Sequence, residues 1–167
     1  MIKIVGAKGN IQSVDSFLKK VDIFAIKHNI VIQAFDADVI YGKNHIISAV
    51  AHAIRAIDRK TNSTNSLGME ILLYTSGERQ LKIAIPKMGV KNGESNIAFV
   101  FTEGKISEKE INDIFMQLSL IRDDTVLEGD INTLRKFGIS ENEIDTMTKA
   151  KYGDIILEKV AMVDIIK

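Results

Sequence analysis

Six polar side chains recur along residues 44–59: Asn44, His45, Ser48, His52, Arg55 and Arg59. At 100° per residue they share one side of a helix, and Ile46, Ile47, Val50, Ala53, Ile54 and Ile57 share the other. Surface helices usually expose Glu and Lys. This one would expose two of the chain's three histidines, two arginines, an Asn and a Ser, flanked by small Ala49, Ala51 and Ala56. Two chemistries fit that face. Imidazoles downstream of the carboxylates Asp36 and Asp38 suggest a metal-dependent hydrolase. Imidazoles with guanidinium groups suggest a platform that holds splayed bases and phosphates. Spacing separates the two. His45 and His52 lie seven residues apart, which is about 10 Å along a helix axis at a rise of 1.5 Å per residue. Paired metal ligands on a helix prefer i,i+4. Asp36 and Asp38 sit at a strand end, where a carboxylate accepts the free N–H groups of the next helix's first turn. A packed, structural role for the histidines stays as compatible with the sequence as contact with a ligand.

The elements that position this face follow from local patterns. Residues 1–5 read as a strand, with a Gly6/Gly9 turn after it. Ser13 caps a helix from Val14 to about His28, closed by Asn29. Ile30 to Phe35 is a β-branched strand, and the helix of residues 43–60 follows. Leu67 to Thr75 is apolar nearly all round; Ser66 as cap and Glu70 inside favour helix over strand. Ser76 to Gln80 begins another helix, with Leu81, Ala84, Ile85 and Met88 on its inner side, shortened or kinked by Pro86 and closed at Gly89. Ile97 to Phe101 is a further strand. Ser107 with Glu110, and Ser140 with Glu143, form capping boxes. A helix from about Asp130 stops at Gly138, and the last spans about Gly153 to Ile166. Three or four strands in a small mixed sheet, with six or seven helices, predict one compact α+β domain over residues 1–167.

Composition narrows the function. The chain has 167 residues, 46% apolar and 26% charged, which suits a soluble globular domain. It has no cysteine, so disulfides, thiolate metal sites and Cys nucleophiles are excluded. No secretory leader is evident, and no apolar run reaches the roughly 18 residues of a membrane span. A cytoplasmic protein without membrane contact is expected. Phosphate loops, dinucleotide fingerprints, His-Glu-x-x-His and nucleophile elbows are all absent. No catalytic residue, cofactor or metal is expected. The net charge of zero divides unevenly. Residues 1–93 carry 13 Lys and Arg against 7 Asp and Glu, and residues 94–167 carry 9 against 15. A basic half that meets phosphates and an acidic half with another partner would explain this.

The last helix has the opposite problem. Ile155, Ile156, Leu157, Val160, Ala161, Met162, Val163, Ile165 and Ile166 leave only Asp154, Glu158, Lys159, Asp164 and Lys167 as polar positions. Such a helix needs either a slot in the core or a second protein. For the latter, Ile155, Val160, Met162, Val163 and Ile166 are the candidate contacts.

Several strings together resemble a known family: Phe35-Asp36-Ala37-Asp38, Gly42-Lys43-Asn44-His45-Ile46, Ala49 to Ile57, Ser66-Leu67-Gly68-Met69-Glu70, Arg79-Gln80 and Met88-Gly89-Val90. They resemble the small kinase-binding subunit of the KEOPS complex, in its archaeal form. The resemblance implies a non-catalytic regulatory subunit that docks on the complex's small atypical kinase/ATPase. It implies service to tRNA threonylcarbamoyladenosine synthesis, with transfer performed by another, metal-containing subunit. In archaeal members it implies capture of tRNA by its single-stranded 3′ CCA end. Matched positions carry that role onto Asn44, His45, His52, Arg55 and Ser66. Geometry and charge add Ser48, Arg59 and Lys60. The rivals are a structural adaptor without RNA contact and the hydrolase of Asp36, Asp38, His45 and His52.

Overall fold

The apolar run at Ile97–Phe101 forms the middle of the molecule. The computed structural model, which describes residues 1–167, places it in β3 (Gly93–Thr102), paired on both sides. β1 (Ile2–Ile11) runs antiparallel along one side, from Ile2 opposite Thr102 to Ile11 opposite Gly93. β2 (Val31–Asp36) runs antiparallel along the other, and the two-residue β4 (Ile121–Arg122) extends the sheet beyond β1. The order is β2-β3-β1-β4. Every pairing is antiparallel, which corrects the expected mixed sheet. β1 and β2 do point the same way, joined by a helix as in a parallel crossover, but β3 occupies the slot between them. With both faces covered, β3 reads as a continuous apolar run.

One face carries α1 (Val14–His28) and α5 (Glu108–Gln117), whose Phe17, Phe24, Ile111 and Phe115 pack with Val5, Ala34, Phe99 and Phe101. The other face, around Ile4, Phe35, Ala98 and Val100, carries the remaining helices. These are α2 (Gly42–Asp58), α3 (Leu67–Ser76), α4 (Leu81–Met88), α6 (Ile131–Phe137), α7 (Glu141–Asp145) and α8 (Tyr152–Ile166). The class is α+β. The eight helices exceed the expected six or seven through the five-residue α7. No helix is long and apolar enough to cross a membrane.

Local signals set most boundaries. Ser13 caps α1, and Asn29 closes it in the left-handed region at φ 52°. Both capping boxes form. Leu67–Thr75 is helical: Ser66 Oγ accepts the Met69 N–H at 3.2 Å, and the residues from Glu70 to Ser76 are all buried. The Gly6/Gly9 turn is corrected, because both glycines lie inside β1. A Cβ on Gly6 would sit 2.4 Å from the Asp123 carbonyl, and one on Gly9 would sit 2.6 Å from Leu120. These glycines admit the segment after α5 to the sheet edge. Asp36 and Asp38 do not cap α2. Asp36 caps a short 3₁₀ turn at Ala37–Val39, and the N-cap of α2 is Tyr41, without a side-chain bond.

Candidate functional site

α2 forms from an Ala-rich, Pro-free segment, as expected, but its rotation is set by α8. α8 lies in the groove between α2 and α3 and runs parallel to α2. Near its start, Gly153 packs under the Tyr41 ring; near its end, Asp164 meets His52 and Lys167 reaches the Thr61 carbonyl. This seam turns both histidines inward. Burying two imidazoles requires partners for their nitrogens, and α3 and α8 supply them.

His45 is fully buried. Its Nδ1 accepts the Tyr41 N–H at 3.1 Å, so Nε2 carries the proton and donates to the Thr75 carbonyl at 2.8 Å. The ring stands edge-on to Phe137, with centroids 5.6 Å apart. Burial pushes its pKa down to about 4, so it is neutral at physiological pH. His52 is half-buried, stacked on Tyr74 at 5.4 Å, with Nδ1 2.7 Å from Asp164 Oδ2. Tyr74 donates to the other oxygen of Asp164. Burial alone would raise the Asp164 pKa, but the Tyr74 and His52 hydrogen bonds and the Lys167 charge hold it below the usual carboxylate range. The inward histidines correct the expected outer face, and His45 has no surface for a ligand to touch.

What stays outside is a narrower stripe. Asn44, Arg55, Arg59 and Lys60 are exposed and Ser48 is half-buried, while Ser66 is exposed beyond the loop as the α3 cap. Of the chain's five arginines, Arg122 pairs with Glu108 and Arg135 with Glu141. Arg55, Arg59 and Arg79 have no carboxylate within the 4.0 Å of an ion pair, and neither has Lys60. The free guanidinium groups are therefore gathered on α2 and the turn after α3.

The hydrolase constellation is not assembled. Asp36 bonds Lys91, while Asp38 is held by Asn96 at 3.2 Å and Lys136 at 3.4 Å. Both histidines are committed elsewhere, and no three His, Asp or Glu side chains converge in metal-binding geometry.

α8 is divided between its two possible uses. Val160 and Val163 are fully buried and Ile155 is half-buried against the same core, which corrects their place among outward contacts. Met162 and Ile166 are each 39% exposed, and Ile165, absent from the expected set, is 75% exposed. Sequence reasoning also missed the α8 anchors, Asp164 and Lys167. Lys167 Nζ lies 2.6 Å from Glu70 Oε1 and 3.0 Å from the Tyr74 hydroxyl. Glu70 is itself buried and accepts the Ser63 and Thr64 N–H groups and the Thr64 hydroxyl. Burial would raise its pKa, but Lys167 and those donors lower it. The signal for this network was the placement of α8's last two polar residues one turn apart.

The sequence belongs to a known class, that of kinase-binding proteins. A family model described as kinase binding protein CGI-121 matches residues 10–164, and the chain belongs to that family. It is similar to the regulatory protein Cgi121 of Methanocaldococcus jannaschii, at 31% identity over 139 residues, covering 81% of this chain and 84% of that protein. The match extends well beyond residues 35–90, where the resembling strings lie.

Proposed function

We propose that the chain, as one domain over residues 1–167, is a non-catalytic regulatory subunit of a cytoplasmic, KEOPS-type tRNA threonylcarbamoyladenosine complex. It docks the small atypical kinase/ATPase and holds tRNA by the single-stranded 3′ CCA end. The observation that carries the RNA half is the stripe of unpaired cations Arg55, Arg59 and Lys60, with Asn44 and Ser48 beside it. Unpaired guanidinium groups bind phosphate and stack on unstacked bases without first breaking an ion pair. His45 and His52 act from beneath, by fixing the rotation of α2. The kinase half rests on the family and on the exposed Met162, Ile165 and Ile166 in the last turns of α8.

The test uses tRNA with and without CCA, against wild type and Arg55→Glu/Arg59→Glu. Wild type should prefer the CCA-ended tRNA, and the variant should lose that preference with a shallower salt dependence. Equal affinity in all four combinations overturns the RNA assignment. In the same preparations, Ile165→Glu should abolish co-purification with the kinase; retention by a folded variant moves the docking surface away from α8.

A further inference from the structure

α1 faces two ways. Phe17, Val21 and Phe24 enter the core beneath it. The side turned to solvent has an order of its own. Ile23 is 58% exposed and Ile26 79% exposed, and three residues apart they are neighbours on that side. In the heptad notation abcdefg, Ser16 and Ile23 take position a, and Lys19 and Ile26 take position d. The three core residues then fall at b and f, so the a/d seam points away from the sheet. Asp15 and Asp22 take the g positions, and Lys20 and Lys27 take the e positions. All four are exposed, and none has an opposite charge within the 4.0 Å of an ion pair.

Asp15 and Lys20, like Asp22 and Lys27, are five residues apart. At 100° per residue that sets each pair about 140° apart around its own helix, out of reach of one another. Between two parallel helices, five residues is the offset at which a g side chain meets the e side chain of its neighbour. Two copies of α1 laid side by side and parallel therefore close four Asp–Lys pairs around a centre of Ile23 and Ile26. The antiparallel arrangement sets e against e and g against g, so that Lys meets Lys and Asp meets Asp, and like charges oppose it. A charge pattern that is complementary to itself, and in one direction only, selects a second copy of this chain as the occupant.

We infer that α1 is the interface of a parallel two-fold dimer of this chain, with Ile23 and Ile26 at its centre and the pairs Asp15–Lys20 and Asp22–Lys27 crossing it. Lys19, at the remaining d position, meets its own copy in the seam. That repulsion keeps the dimer weak, so it forms where the chain is concentrated and separates on dilution. α1 covers the face of the sheet opposite to α2, α3 and α8. The dimer thus leaves the arginine stripe and the end of α8 open on both copies and presents each of them twice. It stands whether or not those surfaces bind RNA and kinase.

The test is sedimentation equilibrium of the full chain from about 10 μM to about 1 mM, the range of weak association. The mass of wild type should rise with concentration from 18.6 kDa toward twice that value. Lys19→Leu should tighten the dimer by about tenfold or more, because it replaces a repulsion in the seam with an apolar contact. Ile23→Lys changes an exposed side chain, should keep the circular dichroism of wild type, and should stay at 18.6 kDa throughout. The chain has no cysteine, so Ser16→Cys and Ile26→Cys, made singly, report direction without background. Both should give a disulfide-linked dimer under mild oxidation, since parallel helices set each position against its own copy along the whole seam. Antiparallel helices do so only at the centre, so cross-linking at one of the two sites alone overturns the parallel dimer. Wild type that stays monomeric to about 1 mM overturns the proposal whatever Lys19→Leu does, and leaves the face to a different partner or to solvent. A wild-type dimer that Ile23→Lys leaves intact overturns it as well.

Discussion

The sharpest consequence of the geometry concerns His45 below neutral pH. In the unfolded chain its pKa is the ordinary 6.5, and burial lowers it to about 4 in the fold. The folded state therefore disfavours the proton that the unfolded state takes up. Its contribution is fully present above pH 6.5 and is lost as the pH falls toward 4. Integrating between these two values gives a loss of about 2 kcal/mol between pH 7 and pH 5, and about 3 kcal/mol by pH 4. The lowered carboxylates Glu70 and Asp164 have the same sign but act at lower pH, starting from unfolded values of 4.5 and 3.8. The interval from pH 7 to pH 5 thus isolates the histidine. Urea unfolding followed by far-ultraviolet circular dichroism, at pH 7 and at pH 5, measures it. His45→Gln should be less stable at pH 7, because the Tyr41 N–H and Thr75 carbonyl lose a fitted partner, by about 1–3 kcal/mol. The variant should also lose about 2 kcal/mol less than wild type on going to pH 5. Parallel behaviour of the two proteins would refute the burial argument, whatever their absolute stabilities.

Two further perturbations probe the framework of the site. Lys167→Met leaves the buried Glu70 carboxylate without its cation and should destabilise the fold by about 3 kcal/mol, with faster amide exchange at Ser63 and Thr64; unchanged exchange would mean that Glu70 alone holds the loop. Gly6→Ala brings a methyl group within 2.4 Å of the Asp123 carbonyl and 2.6 Å of Val126, so urea unfolding should show a loss of about 3 kcal/mol; wild-type stability would show that the 123–126 segment moves away freely.

What the sequence made legible was local. Helix ends marked by Ser13, Ser66, Ser107 and Ser140 formed where expected, because each cap joins groups three residues apart. The buried apolar run at β3 was visible because a strand covered on both faces must be apolar throughout. The errors have a common cause in long-range contacts. Gly6 and Gly9 have the local look of a turn, yet they serve the approach of a segment more than a hundred residues later. The rotation of α2 was judged from its isoleucines alone, which left Ile47 inside and His45 outside. The structure reverses both: Ile47 is 42% exposed and His45 is buried. The hydrogen bonds that reverse them come from Thr75, thirty residues on, and Asp164, 112 residues on. No pattern internal to α2 encodes those partners.

The reversal of α2 and the exposed end of α8 have one origin. A helix apolar on almost every side has no preferred rotation in an apolar groove, because each face buries about equally well. Two polar contacts remove that freedom. Asp164 bonds His52 and Tyr74, and Lys167 must face the fully buried Glu70, since that carboxylate without its cation costs far more than an exposed isoleucine. Asp164 and Lys167 are three residues apart and therefore share a face. Turning that face into the groove between α2 and α3 forces the residues on the opposite side outward. Ile165, about 100° around the helix from Asp164, becomes the most exposed residue of α8's last turn among its large apolar side chains. The polar anchors thus do two things with one rotation: they draw His52 beneath the surface, on the side where Thr75 of α3 holds His45, leaving arginines above, and they place an apolar patch at the end of α8. Reversing the order of polarity, with Asp164→Leu and Ile165→Asp together, would leave composition unchanged apart from the exchange of Ile for its isomer Leu, yet it would remove the partner of His52. Such a pair of changes should disturb α2 as well as α8, read as chemical-shift changes along residues 45–55, and an undisturbed α2 would separate the two helices.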